Sequence, residues 1–265
     1  MPPPPRIFDA HLHPERLGDG DLAALAHFGV ARALALPHAM AEPSAAALSE
    51  QVDALLSEQV PRLERAGIEG FLAVGLHPRS VPRRGLAEVL ERLLAALGHP
   101  RVVALGEIGL HHGGPAEEEA VVEQLRLARR LRVPVLVHTP ERDKERHTRR
   151  LLTLLRTHGP APERVLVDHV SARTLPLVLG CGHWAGVTVQ LGALRAERAV
   201  SLVKRTGSER LVMNSDGGDR PGDLLGLARA VHLLGRAGLS GRVIARVAFT
   251  NAARFLGVAR AEGRI

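Results

Sequence analysis

Ile7-Phe8-Asp9-Ala10-His11-Leu12-His13-Pro14-Glu15-Arg16 is the stretch on which the fold turns. Its first part, Ile7–Leu12, has the length and apolar character of a strand. In an open, doubly wound sheet that binds a dinucleotide, the turn after the first strand is Gly-rich. Here the chain continues His13-Pro14-Glu15-Arg16, which supplies no such turn. Working outward, seven more short apolar runs are predicted as strands, at about Ala31–Leu36, Gly70–Leu76, Val102–Gly106, Val133–Val137, Arg164–Asp168, Trp184–Val189 and Arg210–Asn214. Segments such as Ser44–Ala66, Leu86–Leu97, Glu117–Leu131 and Leu224–Leu234 lie between them and carry apolar residues at three- and four-residue spacing, so they are predicted as crossover helices. Pro115 opens one with Glu117, Glu118 and Glu119 in its first turn, and Gly67 and Gly98 sit just past two helix ends. Strand–helix units repeated over about 250 residues have the size of a (β/α)8 TIM barrel, an α/β fold that places functional groups at the C-terminal ends of its strands. The expected organisation is a Pro-rich tail, residues 1–6, and a single barrel domain, residues 7–265.

Composition excludes several classes. With 45% apolar residues in 265 the chain can bury a sizeable core, and one Cys rules out a disulfide scaffold. No apolar run is long enough to span a membrane and none follows Met1 as a signal peptide would, so a cytoplasmic, unanchored protein is expected. Cys181 reads as a small packing residue. The net charge of +7 is nearly all arginine, since Lys144 and Lys204 are the only lysines, and it reads as a coding bias rather than a nucleic-acid footprint. A basic rim built from Arg79, Arg83, Arg84, Arg142 and Arg146 remains available to an anionic substrate. The P-loop, nucleophile-elbow and zinc-protease helix motifs are all missing.

Chemistry concentrates where the predicted strands end. The first ends in His11-Leu12-His13, the fourth in Gly106-Glu107, the fifth in Val137-His138, the sixth in Asp168-His169 and the eighth in Asn214-Ser215-Asp216. Side chains two apart on a strand share a face, so His11 and His13 point together into the mouth of a barrel. Glu107, His138, His169 and Asp216 reach the same mouth from other strands. Four imidazoles and two carboxylates suit Zn²⁺ or Mn²⁺ better than Ca²⁺ or a lone Mg²⁺. Any one of these residues taken singly reads as structural; five strand ends each bearing a ligand type do not. His38, His77, His111 and His112 are candidate substrate contacts in the loops, whereas His27, His99, His147, His158, His183 and His232 read as structural or solvated.

The order Asp9-x-His11-x-His13, Gly75-Leu76-His77-Pro78, Gly106-Glu107-Ile108-Gly109-Leu110, His138, His169, Asp216 and Asn251-Ala252-Ala253-Arg254-Phe255-Leu256 resembles the TatD-like metal-dependent hydrolases of the amidohydrolase superfamily. That resemblance runs nearly the whole chain. It implies a (β/α)8 barrel holding one or two divalent ions, Zn or Mn first and Mg, Fe or Ni as other occupants. His11, His13 and Asp216 would bind the first, His138 and His169 the second, and Glu107 would bridge them in place of a carboxylated lysine. Asp216 and Glu107 are then the catalytic residues, with Asp216 accepting the proton of the attacking water and returning it to the leaving group. Where nuclease-like members have Asp after Gly-Glu-Ile-Gly-Leu this chain has His111, and where they have Cys-Phe-Ser-Gly after the sixth-strand His it has Val170-Ser171-Ala172-Arg173. The usual Thr-Asp before a Pro-containing loop is Ser215-Asp216, with Pro221 later. These departures suggest a branch cleaving a small-molecule ester, amide, lactone or phosphoester. A DNase or phosphodiesterase is the second reading, and a non-catalytic, metal-holding binding barrel the third.

Overall fold

Eight strands pair in sequence order, every pair parallel: β1 (Ile7–Leu12), β2 (Val30–Ala35), β3 (Glu69–Val74), β4 (Val102–Gly109), β5 (Val135–His138), β6 (Val165–Val167), β7 (Trp184–Thr188) and β8 (Leu211–Asn214). In this computed structural model residues 5–219 and 222–258 are described; residues 1–4 of the Pro-rich tail, Arg220, Pro221 and residues 259–265 of the expected barrel domain lie outside the described residues. β1 meets the end of β8 through a Leu12–Gly217 bridge and through hydrogen bonds from Asp216 N to His11 O (3.0 Å) and His13 N to Gly217 O (2.8 Å). This contact closes the barrel at its C-terminal mouth, as the sequence predicts.

The helices surround the sheet: α1 (Asp19–His27), α2 (Ala45–Ala54), α3 (Val60–Arg65), α4 (Leu86–Ala96), α5 (Pro115–Leu131), α6 (Lys144–His158), α7 (Leu175–Gly180), α8 (Ala196–Thr206), α9 (Gly226–Arg236), α10 (Gly241–Ala245) and α11 (Asn251–Phe255). The segment expected to be one helix over 44–66 is capped by Ser44, whose Oγ accepts from Ala47 N at 3.1 Å, and runs through a π turn at Leu55–Gln59 into α3. Among the described residues no helix is long and apolar enough to cross a membrane. Cys181, expected to pack, is exposed: it follows the last turn of α7, where its backbone N–H closes the helix end.

Two apolar layers set the architecture. Outward-facing strand residues such as Ile7, Leu72, Leu105, Val135 and Val165 pack with Leu22, Leu63, Leu93, Leu125 and Leu151 of the helices. Phe8, Ala10, Ala73, Ala104, Leu136, Leu166 and Val212 fill the interior, closed by Ala252, Phe255 and Leu256. Asn251 pins this closing helix by donating its side-chain amide to Ser208 O (2.8 Å) and Leu211 O (2.7 Å). The N-terminal half of the barrel is thus a packed core, leaving the polar strand ends at the mouth.

Candidate functional site

A strict alternation that puts Phe8 and Ala10 inside the barrel would also put Leu12 inside and His11 and His13 outside. β1 avoids this with a register shift between Asp9 and Leu12 against β2, and Leu12 joins the outer core. β4 shifts likewise between Leu105 and Ile108, around Glu107. Such irregularities re-aim a side chain at the point where pairing is interrupted. The backbones come close here: a Cβ on Gly75 would lie 2.9 Å from Gly106 Cα. After β6 and β8, His169 (φ 56°) and Asp216 (φ 51°) adopt the left-handed conformation, sparsely populated by residues other than glycine and concentrated at functional sites.

The outer hydrogen bonds of the imidazoles reveal which nitrogen faces the centre. His13 Nδ1 lies 2.9 Å from Leu36 O, and a carbonyl only accepts, so Nδ1 carries the hydrogen and Nε2 keeps its lone pair. His11 Nδ1 meets the buried Asp168 carboxylate at 2.8 Å with the same consequence. Thr188 Oγ1 donates to Asp168 Oδ1 (3.2 Å) and accepts from His169 Nδ1 (2.9 Å), leaving His169 Nε2 bare as well. Three lone pairs therefore point inward at other acceptors. His11 Nε2 and His13 Nε2 are 3.2 Å apart, and His169 Nε2 is 2.9 Å from Glu107 Oε1. Asp216 Oδ1 lies 3.3 Å from His13 Nε2 and 3.5 Å from His11 Nε2, while Glu107 Oε2 lies 3.6 Å from His11 Nε2. Acceptors converging without donors repel one another unless a cation sits among them. Ligand atoms about 2.0–2.2 Å from a tetrahedral ion are roughly 3.3–3.6 Å from each other, so the 3.2–3.6 Å separations among His11, His13, Glu107 and Asp216 fit a divalent ion, whereas His169 approaches Glu107 to hydrogen-bond distance. His138 completes the group from β5, with Nδ1 at 2.6 Å from Glu107 Oε1.

The electrostatics point the same way. Burial opposes the charged form of His11, but Glu107, Asp216 and Asp168 outweigh it and carry its pKa up to about 10. Burial also disfavours ionised Glu107; His138 and His11 overcome this and hold its pKa well below the usual carboxylate range. Asp216 behaves similarly, its burial outweighed chiefly by His11 and His13. Without a metal, this nest takes up protons in the metal's place. Lys144, its pKa pushed down to about 8 by burial against the pull of Glu141 and Asp168, donates to Thr139 O (3.0 Å) and His169 O (2.8 Å), joining the ends of β5 and β6.

Sequence reasoning passed over Asp168, reading it only as the neighbour of His169. Fully buried, it accepts on Oδ1 from His169 N (2.8 Å), Asn214 Nδ2 (2.8 Å) and Thr188, and on Oδ2 from His11. A Cβ at residue 186 would lie 2.0 Å from Asp168 Oδ1, which is why Gly186 faces it. Asp9, its pKa raised to about 6 by burial against the hydrogen bonds from Ser215, buttresses the end of β8 through Ser215 N (2.9 Å) and Oγ (2.5 Å). The available signal was that both carboxylates sit within two residues of a ligand-type histidine on a strand.

His77 is different in kind. Its Nδ1 accepts from Arg79 N at 3.0 Å, so in the neutral ring Nε2 carries the hydrogen, 3.8 Å from Glu107 Oε2. Burial drives its pKa down to about 3, keeping it neutral. It thus presents a donor, not a lone pair. His111 and His112 stand on a loop whose backbone N–H groups, with that of Gly113, all donate to the Glu117 carboxylate at 2.7–3.1 Å. His38, paired with Glu15 at 2.5 Å, lies further out on the rim. All four substrate-contact candidates line one cavity of about 380 Å³ with His13, Glu107, His138, His169 and Asp216; Arg79 and Arg142 line it, and Arg83, Arg84 and Arg146 do not. The six histidines read as structural are absent from its lining and from the metal-suited groups among the described residues.

The family model described as TatD related DNase matches residues 8–221. A metal-dependent hydrolase of Methanocaldococcus jannaschii is 30% identical over 254 residues, covering 94% of this chain and 99% of the relative. The crystal structure of a TatD-like protein from Archaeoglobus fulgidus superposes with a TM-score of 0.79 at 31% identity, covering 95% of this chain and all of that one. A human 3'-5' RNA nuclease is 28% identical over 54% of this chain and 19% of its own length.

Proposed function

The chain belongs to the TatD-related DNase family of metal-dependent hydrolases, and from that premise we propose that it cleaves phosphoesters presented singly at the barrel mouth. The observation that carries this reading is the convergence of three Nε2 lone pairs with the oxygens of Glu107 and Asp216, under a mouth lined by Arg79, Arg142, His111 and His112. In this reading His11, His13 and Asp216 would hold one ion and His138 and His169 a second, with Glu107 available to either. Zinc or manganese suits the nitrogen-rich set. When bound, such ions supply a nucleophile at neutral pH and polarise the ester. Asp216, held ionised, takes the proton of the attacking water and returns it to the leaving oxygen. His77 directs its Nε2–H at a substrate oxygen and, being neutral, leaves the charge balance of the cluster unchanged. Arg79 and Arg142 orient the phosphoryl group.

An uncharged ester, amide or lactone would offer the two guanidiniums at the mouth no negative charge to bind, which is why the phosphoester is preferred among the small-molecule substrates. A cavity of about 380 Å³ accommodates a small phosphoester or the end of a single strand, not a duplex. The nuclease name of the human relative supports the strand end, and the lone cysteine a cytoplasmic setting. Elemental analysis of the purified protein beside Glu107→Gln and His138→Ala tests the centre. One to two equivalents of metal, reduced in both variants, are expected. No metal after reconstitution would overturn the metal-centred reading, and metal held without turnover of any ester would favour the non-catalytic binding barrel. Turnover of a short single-stranded oligonucleotide is then compared with that of a small phosphodiester over a KCl series. Binding through several phosphates weakens steeply with salt, whereas a single phosphoryl contact does so shallowly. Activity confined to uncharged esters would overturn the phosphoester reading.

A further inference from the structure

Arg79 and Asp219 come from loops 140 residues apart and meet across the mouth, Nη2 to Oδ1 at 3.4 Å. Both line the cavity, on the loops that follow β3 and β8. The two ends are anchored differently. Asp219 follows Gly217 and Gly218, and that turn is packed tightly on β1: a Cβ on Gly218 would collide with His13 O at 2.3 Å, and its φ of 96° suits glycine. Arg79 has its backbone N–H on His77, but its side chain is 47% exposed. The carboxylate is therefore the fixed member and the guanidinium the movable one. Arg142, exposed on the loop after β5, forms no ion pair among the described residues.

We propose that Asp219 is a charge gate on Arg79: it holds the guanidinium over the mouth and yields it to the anionic group of the substrate, setting which charges the site admits. The proposal rests on the phosphoester reading of the same cavity. An exposed ion pair is weak enough to be exchanged, and a phosphoryl oxygen replaces the carboxylate with a charge-assisted bond of better geometry. Until that exchange, the carboxylate both occupies Arg79 and repels incoming anions, so a ligand without a full negative charge has nothing to offer in return.

Inorganic phosphate is the probe, titrated by calorimetry into the metal-loaded full-length protein, so that the readout does not depend on turnover. Asp219→Asn should tighten phosphate binding, by up to about fivefold, the most that an exposed pair contributes. Arg79→Gln should weaken it by about tenfold or more, as expected for losing a hydrogen bond to a charged group. In the Arg79→Gln background the gain from Asp219→Asn should disappear, since the gate acts through the guanidinium. A loop that merely loosens in Asp219→Asn would weaken binding, so the sign separates the gate from a structural role. Equal gains in both backgrounds would reduce Asp219 to through-space repulsion and overturn the gate, as would unchanged affinity in Asp219→Asn. Phosphate binding absent from every variant overturns it too; phosphoester turnover, measured separately, then says whether the parent reading fails with it.

Discussion

Asp168→Asn isolates what orients the candidate metal centre, because the substitution keeps shape and removes only charge and one acceptor. The surrounding bonds dictate how the new amide sits. Oδ1 receives the His169 N–H, the Asn214 amide and the Thr188 hydroxyl, so the amide oxygen must take that side. Its NH2 is then forced onto the side that faces His11 Nδ1 at 2.8 Å. Two donors cannot share that contact. His11 must switch tautomer, making Nδ1 the acceptor and placing a hydrogen on Nε2, the atom that lies 3.2 Å from His13 Nε2. One inward lone pair is lost, and binding an ion then requires His11 to revert against the amide.

Removing an outer-shell partner of a ligating histidine typically weakens metal affinity about 10–100-fold, or roughly 1.4–2.8 kcal/mol. The upper end is expected here, since the tautomer is reversed and not merely freed. Affinity is read by competition with a chromophoric chelator, and circular dichroism in the same buffer confirms that both proteins are folded. Metal affinity within twofold of wild type in a folded Asp168→Asn protein would refute the tautomer argument and, with it, the assignment of His11 Nε2 as a ligand atom.

Four further outcomes follow from the same network. Because carboxylates raise the His11 pKa to about 10 against its burial, an ion binding at pH 8 should release about one proton; calorimetry in buffers of different ionisation enthalpy reads the number, and zero contradicts the assignment. The same shift has a sign for stability. A histidine whose folded pKa is raised stabilises fully below about 6.5, and that contribution falls away as pH rises through about 10. Melting of metal-free protein between pH 6 and 9 should therefore be steeper in wild type than in His11→Gln. His77→Ala should leave metal content unchanged and lower kcat by about 100-fold, as for loss of a preorganised donor; lost metal would make His77 a ligand. Glu117→Ala should release the His111–His112 loop, destabilising the protein by about 1–3 kcal/mol and raising KM with metal content intact, checked by thermal melts and elemental analysis.

What could be read from the chain follows from which physics is local. Strand order needed only the alternation of apolar runs with helical segments, because parallel strands demand crossover connections. The H-x-H of β1 signalled a shared face correctly, although the alternation behind it is broken. Phe8 and Ala10 on one parity and His11 and His13 on the other all point inward, which only a register shift reconciles. Nothing in residues 7–13 announces that shift; it is set by the pairing of β1 with β2. The same holds for Asp168 and Asp9. A buried carboxylate and a solvated one look alike in sequence, and what distinguishes Asp168 is a set of donors from residues 11, 169, 188 and 214, all distant in the chain except its neighbour.

The tautomers carry this furthest. His11, His13, His77 and His169 are the same residue type at strand ends of one barrel, and no spacing rule separates ligand from donor among them. Three face an acceptor on the outside and so present a lone pair within; His77 alone faces a backbone N–H and so presents a hydrogen. Role is therefore assigned from behind, by what each imidazole leans on. That places the specificity of the centre in Asp168, Leu36 O, Thr188 and Arg79 N as much as in the histidines. It also means that a variant leaving every histidine in place can still convert a ligand into a donor.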